Sequence, residues 1–377
     1  MAGARLSLLA VLLVSIVAPA GGQNEGRPRR VAPQADDSIR LRSDLVTVTV
    51  SVSDGSGRPV GGLLPEDFRI LEDGRPQRIE HFEPIGDPYS LLLVFDISGS
   101  TETEVSRMQT AAREFVGGLG PADKLGMLSF ARAINIHGVM TSDRRDLERQ
   151  LREIAPQKSR ERDDSRYDES TGTSFYDALL LAATESPLST EAATGRKAII
   201  VFSDCVDSTS GYDFEGLASE VERSGASVYF LLFDTQPFSD RLLTQPDGEA
   251  NRINFSRTQL DRFYAELAPD SPDRDRAPTS YTNLERLEIN GALYEIAKRQ
   301  ADQIATRTGG RVYPVKSIGQ LGAAYSAIAA ELKTRYSIGF YPSNARTDGS
   351  WRKLRVEVPR RPNAVVLSRE GYWAPTE

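Results

Sequence analysis

The sequence contains almost no cysteine or histidine, and this scarcity excludes several kinds of site. Its 377 residues include one cysteine, Cys205, and two histidines, His81 and His137. A single cysteine excludes an intrachain disulfide framework and any zinc site built from a cysteine cluster. The sequence also lacks a Gly-x-Ser-x-Gly elbow, a P-loop and a His-Glu-x-x-His motif, so these common catalytic signatures are missing.

Basic residues are outnumbered by acidic ones, and long apolar runs are rare. The chain has 46 lysines and arginines against 53 aspartates and glutamates, which gives a net charge of −7. Nucleic acids and anionic membranes bind basic surfaces, so this composition argues against both as partners. Beyond residue 23 no stretch is apolar enough to span a membrane, and we expect no transmembrane span in the mature chain.

The first 23 residues have the pattern of a signal peptide. Arg5 supplies the positive start, residues 6–17 are apolar, and Ala18-Pro-Ala20 fits the small-x-small cleavage rule. The apolar run is short for a spanning helix, although a retained signal anchor is the alternative. We therefore expect export, with the mature protein periplasmic or extracellular. Residues 24–38 are polar and rich in proline and arginine, which predicts a flexible linker.

Residues 39–86 predict a small N-terminal β region. Apolar and polar residues alternate from Leu45 to Val52, which is the period of a half-buried strand. Further strands are predicted at 68–71 and 79–82, with Glu72-Asp-Gly-Arg75 as the hairpin turn between them. A unit of this size is near the lower limit for independent stability, so we expect it to pack against the domain C-terminal to it.

From Ser90 onward the pattern changes to strands that alternate with helices. The runs at 90–96 and 197–203 are apolar throughout, as in strands of a parallel sheet that are buried on both faces. This alternation predicts a doubly wound α/β domain over residues 88–334. Residues 234–290 interrupt it as an insertion, and long loops of this kind are either functional or disordered. Residues 335–373 are predicted to be a C-terminal β segment that completes the N-terminal β region.

Oxygen-bearing side chains follow the buried strands and open the helices of this predicted domain. Asp96, Ser98 and Ser100 alternate after the first buried strand, Thr173 opens a helix, and Asp204 follows the strand at 197–203. Ligands of open α/β sheets bind at the carboxyl ends of the strands, where these oxygens should meet. Hard divalent cations such as Mg²⁺ prefer oxygen ligands, so we expect a cation site formed by these five residues.

These five residues resemble the metal-ion-dependent adhesion site of the von Willebrand factor A domain, in which Asp-x-Ser-x-Ser is followed by a Thr and then an Asp. The tail sharpens the resemblance. Four further segments look like parts of the bacterial exported "VWFA-related" family: the leading run from Pro65 to Gly74, Thr308-Gly-Gly-Arg-Val-Tyr, the run from Glu331 to Tyr341, and Arg369-Glu-Gly-Tyr-Trp373. The resemblance covers about 39–373, except for the insertion.

The resemblance implies a protein-binding module rather than an enzyme. It implies a divalent cation, usually Mg²⁺ with Mn²⁺ or Ca²⁺ as alternatives, whose ligands are Asp96, Ser98, Ser100, Thr173 and Asp204. A partner protein would supply an Asp or Glu carboxylate to complete the cation's shell. Cys205 departs from the pattern, because A domains often have glycine after this aspartate, and its side chain could narrow the rim of the site or alter the loop.

Two other functions remain open from the sequence. A metal-free scaffold would use the same fold without a cation. A metal-assisted hydrolase would need a general base, and no histidine or glutamate lies within the Asp96–Ser100 motif itself. The sequence names neither the partner nor the oligomeric state.

Overall fold

The computed structural model describes residues 45–56, 58–84, 88–155, 172–185, 196–246, 253–316 and 318–376. The signal peptide and linker predicted for residues 1–38 lie outside these ranges. The strands are β1 (Val46–Ser53), β2 (Arg69–Glu72), β3 (Arg75–Gln77), β4 (Ile79–Pro84), β5 (Tyr89–Asp96), β6 (Lys124–Phe130), β7 (Ile134–Ile136), β8 (Arg196–Ser203), β9 (Ser227–Phe233), β10 (Arg311–Val315), β11 (Tyr336–Phe340), β12 (Trp351–Glu357), β13 (Val365–Leu367) and β14 (Gly371–Trp373). The helices are α1 (Val105–Gly118), α2 (Arg144–Glu153), α3 (Phe175–Thr184), α4 (Phe214–Arg223), α5 (Gln236–Leu243), α6 (Arg257–Leu267), α7 (Asn283–Thr308) and α8 (Ile318–Lys333).

A six-stranded sheet forms the centre of the α/β part, in the order β10-β9-β8-β5-β6-β7. All neighbouring strands are parallel except β6 and β7, which are antiparallel as their close spacing in sequence predicts. Strand β5 is buried along its whole length. The uninterrupted apolar run of β5 therefore does mark a central strand with helices on both faces.

Helices cover both faces of this sheet. Leu91, Leu93 and Phe95 of β5 pack on the side of α1, α2 and α8, while Leu92 and Val94 pack on the side of α3, α4 and α7. Successive side chains of β5 point to opposite faces of the sheet and therefore belong to two separate hydrophobic cores. The predicted doubly wound α/β fold is confirmed. None of the helices in the described ranges is long and apolar enough to cross a membrane.

Two antiparallel four-stranded sheets form the accessory β region, in the orders β13-β1-β11-β4 and β14-β12-β2-β3. Each sheet combines strands from before and after the α/β part, as predicted from the two flanking β patterns. Val48, Val50, Ile338 and Leu354 are among the buried residues that form their shared core. The two sheets therefore pack face to face as a sandwich.

One predicted strand pairing in this region is wrong. Asp73 and Gly74 do form the tight turn, with positive φ angles of 48° and 80°, but the turn joins β2 to β3. Strand β4 leaves that sheet and pairs with β11 in the other one. The physical reason is the packing of Phe82, whose ring lies 5.7 Å from that of Tyr336 on the paired strand β11 and 5.6 Å from that of Phe68, just before β2 of the other sheet.

The insertion at 234–290 contains regular structure in its described part. It forms helices α5 and α6. Helix α7 begins at Asn283, where Thr282 and Glu285 form a capping box. Its last residue is Thr308, and Gly309 follows as the C-cap with a left-handed φ of 71°.

A buried arginine joins the sandwich to the α/β part. Arg335, which lies between α8 and β11, donates hydrogen bonds to Ser51 of β1 at 2.8 Å and to Ser227 of β9 at 2.8 Å. It also pairs with Glu331 of α8 at 3.1 Å, and Glu331 accepts a bond from Ser51. Glu331 and Arg335, two charged residues of the segment 331–341, thus form the contact between the sandwich and the α/β part.

Candidate metal centre

Asp96 is the last residue of β5 and is completely buried. One carboxylate oxygen, Oδ1, accepts the backbone N–H of Ser98 at 3.0 Å, which turns the chain sharply after the strand. The other, Oδ2, accepts a bond from the Ser203 hydroxyl at 2.6 Å. The Thr101 hydroxyl donates to the Asp96 backbone carbonyl at 2.8 Å and closes the same turn. The carboxylate is therefore held in one orientation from both sides.

Ser98, Ser100 and Asp204 continue this constellation. The Ser98 and Ser100 hydroxyls lie 3.2 Å apart, and Ser100 donates to Asp204 Oδ2 at 2.9 Å. Asp204 follows β8, which is the parallel neighbour of β5, with Phe95 opposite Phe202. Because the carboxyl ends of the two strands coincide, residues 104 positions apart meet at one edge of the sheet. Four of the five predicted residues are thus linked directly by this register.

Thr173 reaches the constellation less directly. Its backbone N–H donates to the Ser208 hydroxyl at 2.7 Å, and its carbonyl accepts from Ser208 and Thr209. Among the described residues, its own hydroxyl makes no hydrogen bond to the other four predicted ligands. The first residue before α3 is Ser174, so Thr173 is one position too early to cap that helix. The backbone of the buried Thr173 is therefore tied to the loop that follows Asp204.

Gly172 allows Thr173 to come this close. Its φ of +131° is a conformation that residues with side chains rarely adopt, and a Cβ there would lie 2.5 Å from Thr209 Cγ2. The glycine therefore sets the distance between the two loops.

Two residues that the sequence analysis missed belong to the same hydrogen-bond network. Ser203 precedes Asp204 and, besides holding Asp96, accepts the backbone N–H of Cys205 at 2.8 Å. Thr235 follows β9 and donates its hydroxyl to Asp204 Oδ2. The signal that could have found Thr235 is its position, because it lies at the carboxyl end of the strand next to β8.

The electrostatic state of the two aspartates is unusual. Within the described residues neither Asp96 nor Asp204 forms an ion pair with lysine, arginine or histidine, although both are buried. Burial, and then the nearby carboxylate of Asp204, raise the pKa of Asp96 above its usual range. Burial also raises the pKa of Asp204. Two adjacent buried carboxylates with no protein cation are a site that favours a bound positive ion.

The donor set fits a hard divalent cation. Two carboxylates and the hydroxyls of Ser98, Ser100 and Thr173 offer only oxygen, which suits Mg²⁺. Among the described residues no group of three or more histidines, cysteines, aspartates or glutamates could hold a metal ion. The predicted site has only two carboxylates, fewer than a group of three or more such ligands. A cation bound there would keep coordination positions free for water or for another ligand.

Of the two effects expected for Cys205, narrowing the rim of the site or altering the loop, the first is excluded by the position of its side chain. Its side chain is buried and packs in the core beside α4 and β9. Its φ of 61° is left-handed, which explains why a glycine would suit this position. Burial, followed by the nearby Asp204 and Asp96, raises the pKa of the thiol well above its usual range. The cysteine is therefore a packing residue in a strained backbone position.

Comparison with known proteins agrees with this geometry. Residues 91–206 match the model of the von Willebrand factor type A domain, and this range holds all five predicted ligands. The chain contains a von Willebrand factor type A domain. No match to the chain was found among curated protein sequences.

Several solved structures are similar in fold to this chain. An aerotolerance-related membrane protein from Bacteroides fragilis is 20% identical with a TM-score of 0.39, covering 65% of this chain and 98% of that one. Proximal thread matrix protein 1 from the mussel byssus, with a zinc-occupied MIDAS motif, is 13% identical with a TM-score of 0.39 (66% and 49% covered). Pilus adhesin SpaC from Lactobacillus rhamnosus GG is 10% identical with a TM-score of 0.40 (84% and 49% covered). Similarity at this level does not transfer function.

The insertion lies directly against the A-domain site. Arg262 of α6, which is partly exposed, forms an ion pair with the buried Asp207 in the loop after Asp204. Asp207 also accepts the Tyr176 backbone N–H at 3.1 Å, so it is a structural residue of that loop. Tyr294 lies on α7 just beyond the insertion, and its hydroxyl is 2.7 Å from that of Thr235. The insertion and the following part of α7 therefore each support a segment beside Asp204.

Proposed function

We propose that this chain is a non-enzymatic protein-binding module whose A domain binds its partner through a divalent cation. The observation that carries the proposal is the pair of buried carboxylates, Asp96 and Asp204, which lack a lysine, arginine or histidine partner in the described part of the chain. A cation between them would replace the missing positive charge.

The chemistry of the ligands explains why such a site would take a partner. Hydroxyl ligands donate little charge, so a cation held by Ser98, Ser100 and Thr173 with two aspartates stays electrophilic. An outside carboxylate from an Asp or Glu of a partner protein is then a favourable further ligand. Mg²⁺ suits this role best because it binds few carboxylates and keeps several waters, with Mn²⁺ or Ca²⁺ as substitutes.

Export is part of the proposal and rests on the sequence pattern of residues 1–23. The expected location is the periplasm or the extracellular space. Expression of the full chain in a bacterium, followed by mass measurement of the product, tests this directly. A mature mass that corresponds to loss of the first 20–23 residues supports export, whereas an intact chain in the cytoplasm contradicts it.

The binding function is tested by affinity capture from bacterial envelope extracts. Wild-type protein in Mg²⁺ should retain a partner that is lost when EDTA is added and restored when Mg²⁺ is returned. Asp96→Ala is the variant that should retain nothing, and Asp302→Asn, an exposed change on α7, is the matched control that should behave as wild type. Capture that survives both EDTA and Asp96→Ala would contradict the proposal.

A further inference from the structure

A cavity of about 340 Å³ lies between the sandwich and α4. Its walls include Trp351 of β12, Trp373 of β14, Glu222 and Arg223 at the end of α4, Thr47 of β1 and Arg369 before β14. This volume falls in the range of cavities that hold small organic ligands. We call it the tryptophan cavity.

The two tryptophans form one aromatic wall of the tryptophan cavity. Trp351 and Trp373 are direct partners in the antiparallel pairing of β12 with β14. Their ring centroids lie 5.2 Å apart at an interplanar angle of 62°. Trp373 remains 37% exposed, and the Arg223 guanidinium lies 5.1 Å from the centre of its ring. These exposed rings provide a surface on which an apolar body can pack.

Arg369 brings a positive charge to the cavity, and no described carboxylate balances it. Its Nη2 donates to the Thr47 carbonyl at 2.8 Å, and its Nε is buried without a hydrogen-bond partner. No carboxylate among the described residues forms an ion pair with it. Burial lowers the pKa of its guanidinium, and the nearby Tyr372 hydroxyl is what counters this. A partly buried guanidinium without an anion is costly unless a ligand supplies one.

Apart from Arg346, whose side chain is exposed, the other charged residues on the walls are paired. Arg352 pairs with the buried Glu72 at 3.3 Å, and Arg223 pairs with Glu220 at 2.9 Å. Glu222 faces the same cavity and lies 3.7 Å from Arg307. Within the described part of the chain, Arg369 is therefore the one partly buried cation of the cavity without an ion pair, and Glu222 is a carboxylate on the wall that would repel a dianion.

We propose that the tryptophan cavity binds an organic monocarboxylate, with the carboxylate on Arg369 and an apolar body against Trp351 and Trp373. Guanidinium and carboxylate match in charge and in their forked geometry, which favours this anion. The carboxylate belongs either to a free acid or to the C-terminus of a peptide.

This second site is separate from the metal centre. Arg223 ends α4 just before β9 begins, so the tryptophan cavity lies toward the amino-terminal edge of the central sheet. The metal centre lies at the carboxyl-terminal edge. Binding in the tryptophan cavity should therefore be unaffected by EDTA, which separates this proposal from the proposed function.

Tryptophan fluorescence of the full chain tests the proposal, because Trp351 and Trp373 are the only tryptophans in the sequence. The ligands are N-acetylphenylalanine, N-acetylphenylalaninamide, acetyl-Ala-Ala-Phe and phenyl phosphate, excited where phenylalanine does not absorb. We expect a saturable change with the acids and binding at least about tenfold weaker for the neutral amide. Tighter binding of acetyl-Ala-Ala-Phe than of N-acetylphenylalanine identifies a peptide terminus, and the reverse identifies a free acid.

Arg369→Gln provides the matched variant, with folding checked by circular dichroism. It should lose about tenfold in affinity for the acid and nothing for the amide, while Arg360→Gln, an exposed change, should match wild type. Equal binding of acid and amide to wild-type protein, no saturable change, or tighter binding of phenyl phosphate would overturn the proposal. The comparison of acid with amide uses wild-type protein alone, so it decides the matter even if Arg369→Gln does not fold.

Discussion

Ser100, which follows β5, donates a hydrogen bond to Asp204, which follows β8, at 2.9 Å across the edge of the sheet. The same oxygen of Asp204 also accepts a bond from Thr235. Hydroxyl donors thus surround a carboxylate that no basic side chain in the described ranges neutralises. Two adjacent buried carboxylates lower the stability of the fold when no cation is bound, and the same charges favour cation binding.

The first prediction concerns this cost. Asp96→Asn should stabilise the metal-free protein, because it removes one of two buried, adjacent negative charges while keeping an oxygen for the Ser98 N–H. We expect a gain of about 1–2 kcal/mol, seen as a higher thermal midpoint in EDTA. Added Mg²⁺ should raise the midpoint of wild type but not that of the variant. A variant less stable than wild type in EDTA would refute this, and Asp302→Asn serves as the control.

The second prediction concerns Ser203, which holds Asp96 Oδ2 at 2.6 Å. Ser203→Ala should weaken cation affinity about tenfold, because ligand orientation then depends on fewer contacts. It should also destabilise the fold by about 1–2 kcal/mol, since the Cys205 N–H loses its acceptor. Titration of Mn²⁺ and urea unfolding measure the two effects.

A double-mutant cycle separates these two roles of Ser203. In an Asp96→Asn background no cation site remains to orient, and the stability cost from Cys205 should persist. Full additivity of Ser203→Ala and Asp96→Asn in stability would show that the bond between them contributes nothing.

The Asp96-x-Ser98-x-Ser100 motif and Asp204 could be predicted from the sequence because each follows a strand whose apolar run is unmistakable. Parallel strands then place their carboxyl ends together. Ser203 and Thr235 were not predictable in the same way. Each is a single hydroxyl with no spacing pattern, and its role depends on which strands are neighbours.

In the sandwich, too, local features could be predicted from the sequence, whereas features that depend on contacts between distant residues could not. The turn at Asp73-Gly74 was visible because positive φ angles favour these residues. The transfer of β4 to the other sheet was not visible, because it depends on the packing of Phe82 against Tyr336, far away in sequence. The start of α7 can be read from the sequence, since Thr282 and Glu285 have capping-box spacing.

The third prediction concerns Gly172. Gly172→Ala should destabilise the protein by about 1–3 kcal/mol, because the residue has a φ of +131° and a Cβ would contact Thr209 Cγ2. Adding Thr209→Ser should recover part of this loss by removing the methyl group but not the backbone strain. Gly211→Ala is the matched control, because its Cβ would meet nothing within 4 Å. Urea unfolding of the four proteins measures this, and equal stability of Gly172→Ala and Gly211→Ala would be the contrary result.

The fourth prediction concerns the junction between the sandwich and the A domain. Arg335→Met should destabilise the protein by about 3–5 kcal/mol, because it leaves Glu331 and the Ser51 and Ser227 hydroxyls without their shared donor. Arg360→Met, whose side chain is 71% exposed, should change stability by no more than about 0.5 kcal/mol. Chemical unfolding measures both variants. An Arg335→Met protein as stable as Arg360→Met would show that the junction does not depend on this charge.

The central claim is that the A domain binds one divalent cation through Asp96 and its neighbours. Electron paramagnetic resonance of Mn²⁺ tests it most directly, because the signal of the free ion falls when the ion is bound. We predict one bound Mn²⁺ per wild-type and per Asp302→Asn chain, displaced by excess Mg²⁺, and none on Asp96→Asn. A free-ion signal that wild type leaves unchanged, or binding that Asp96→Asn retains in full, would contradict the account.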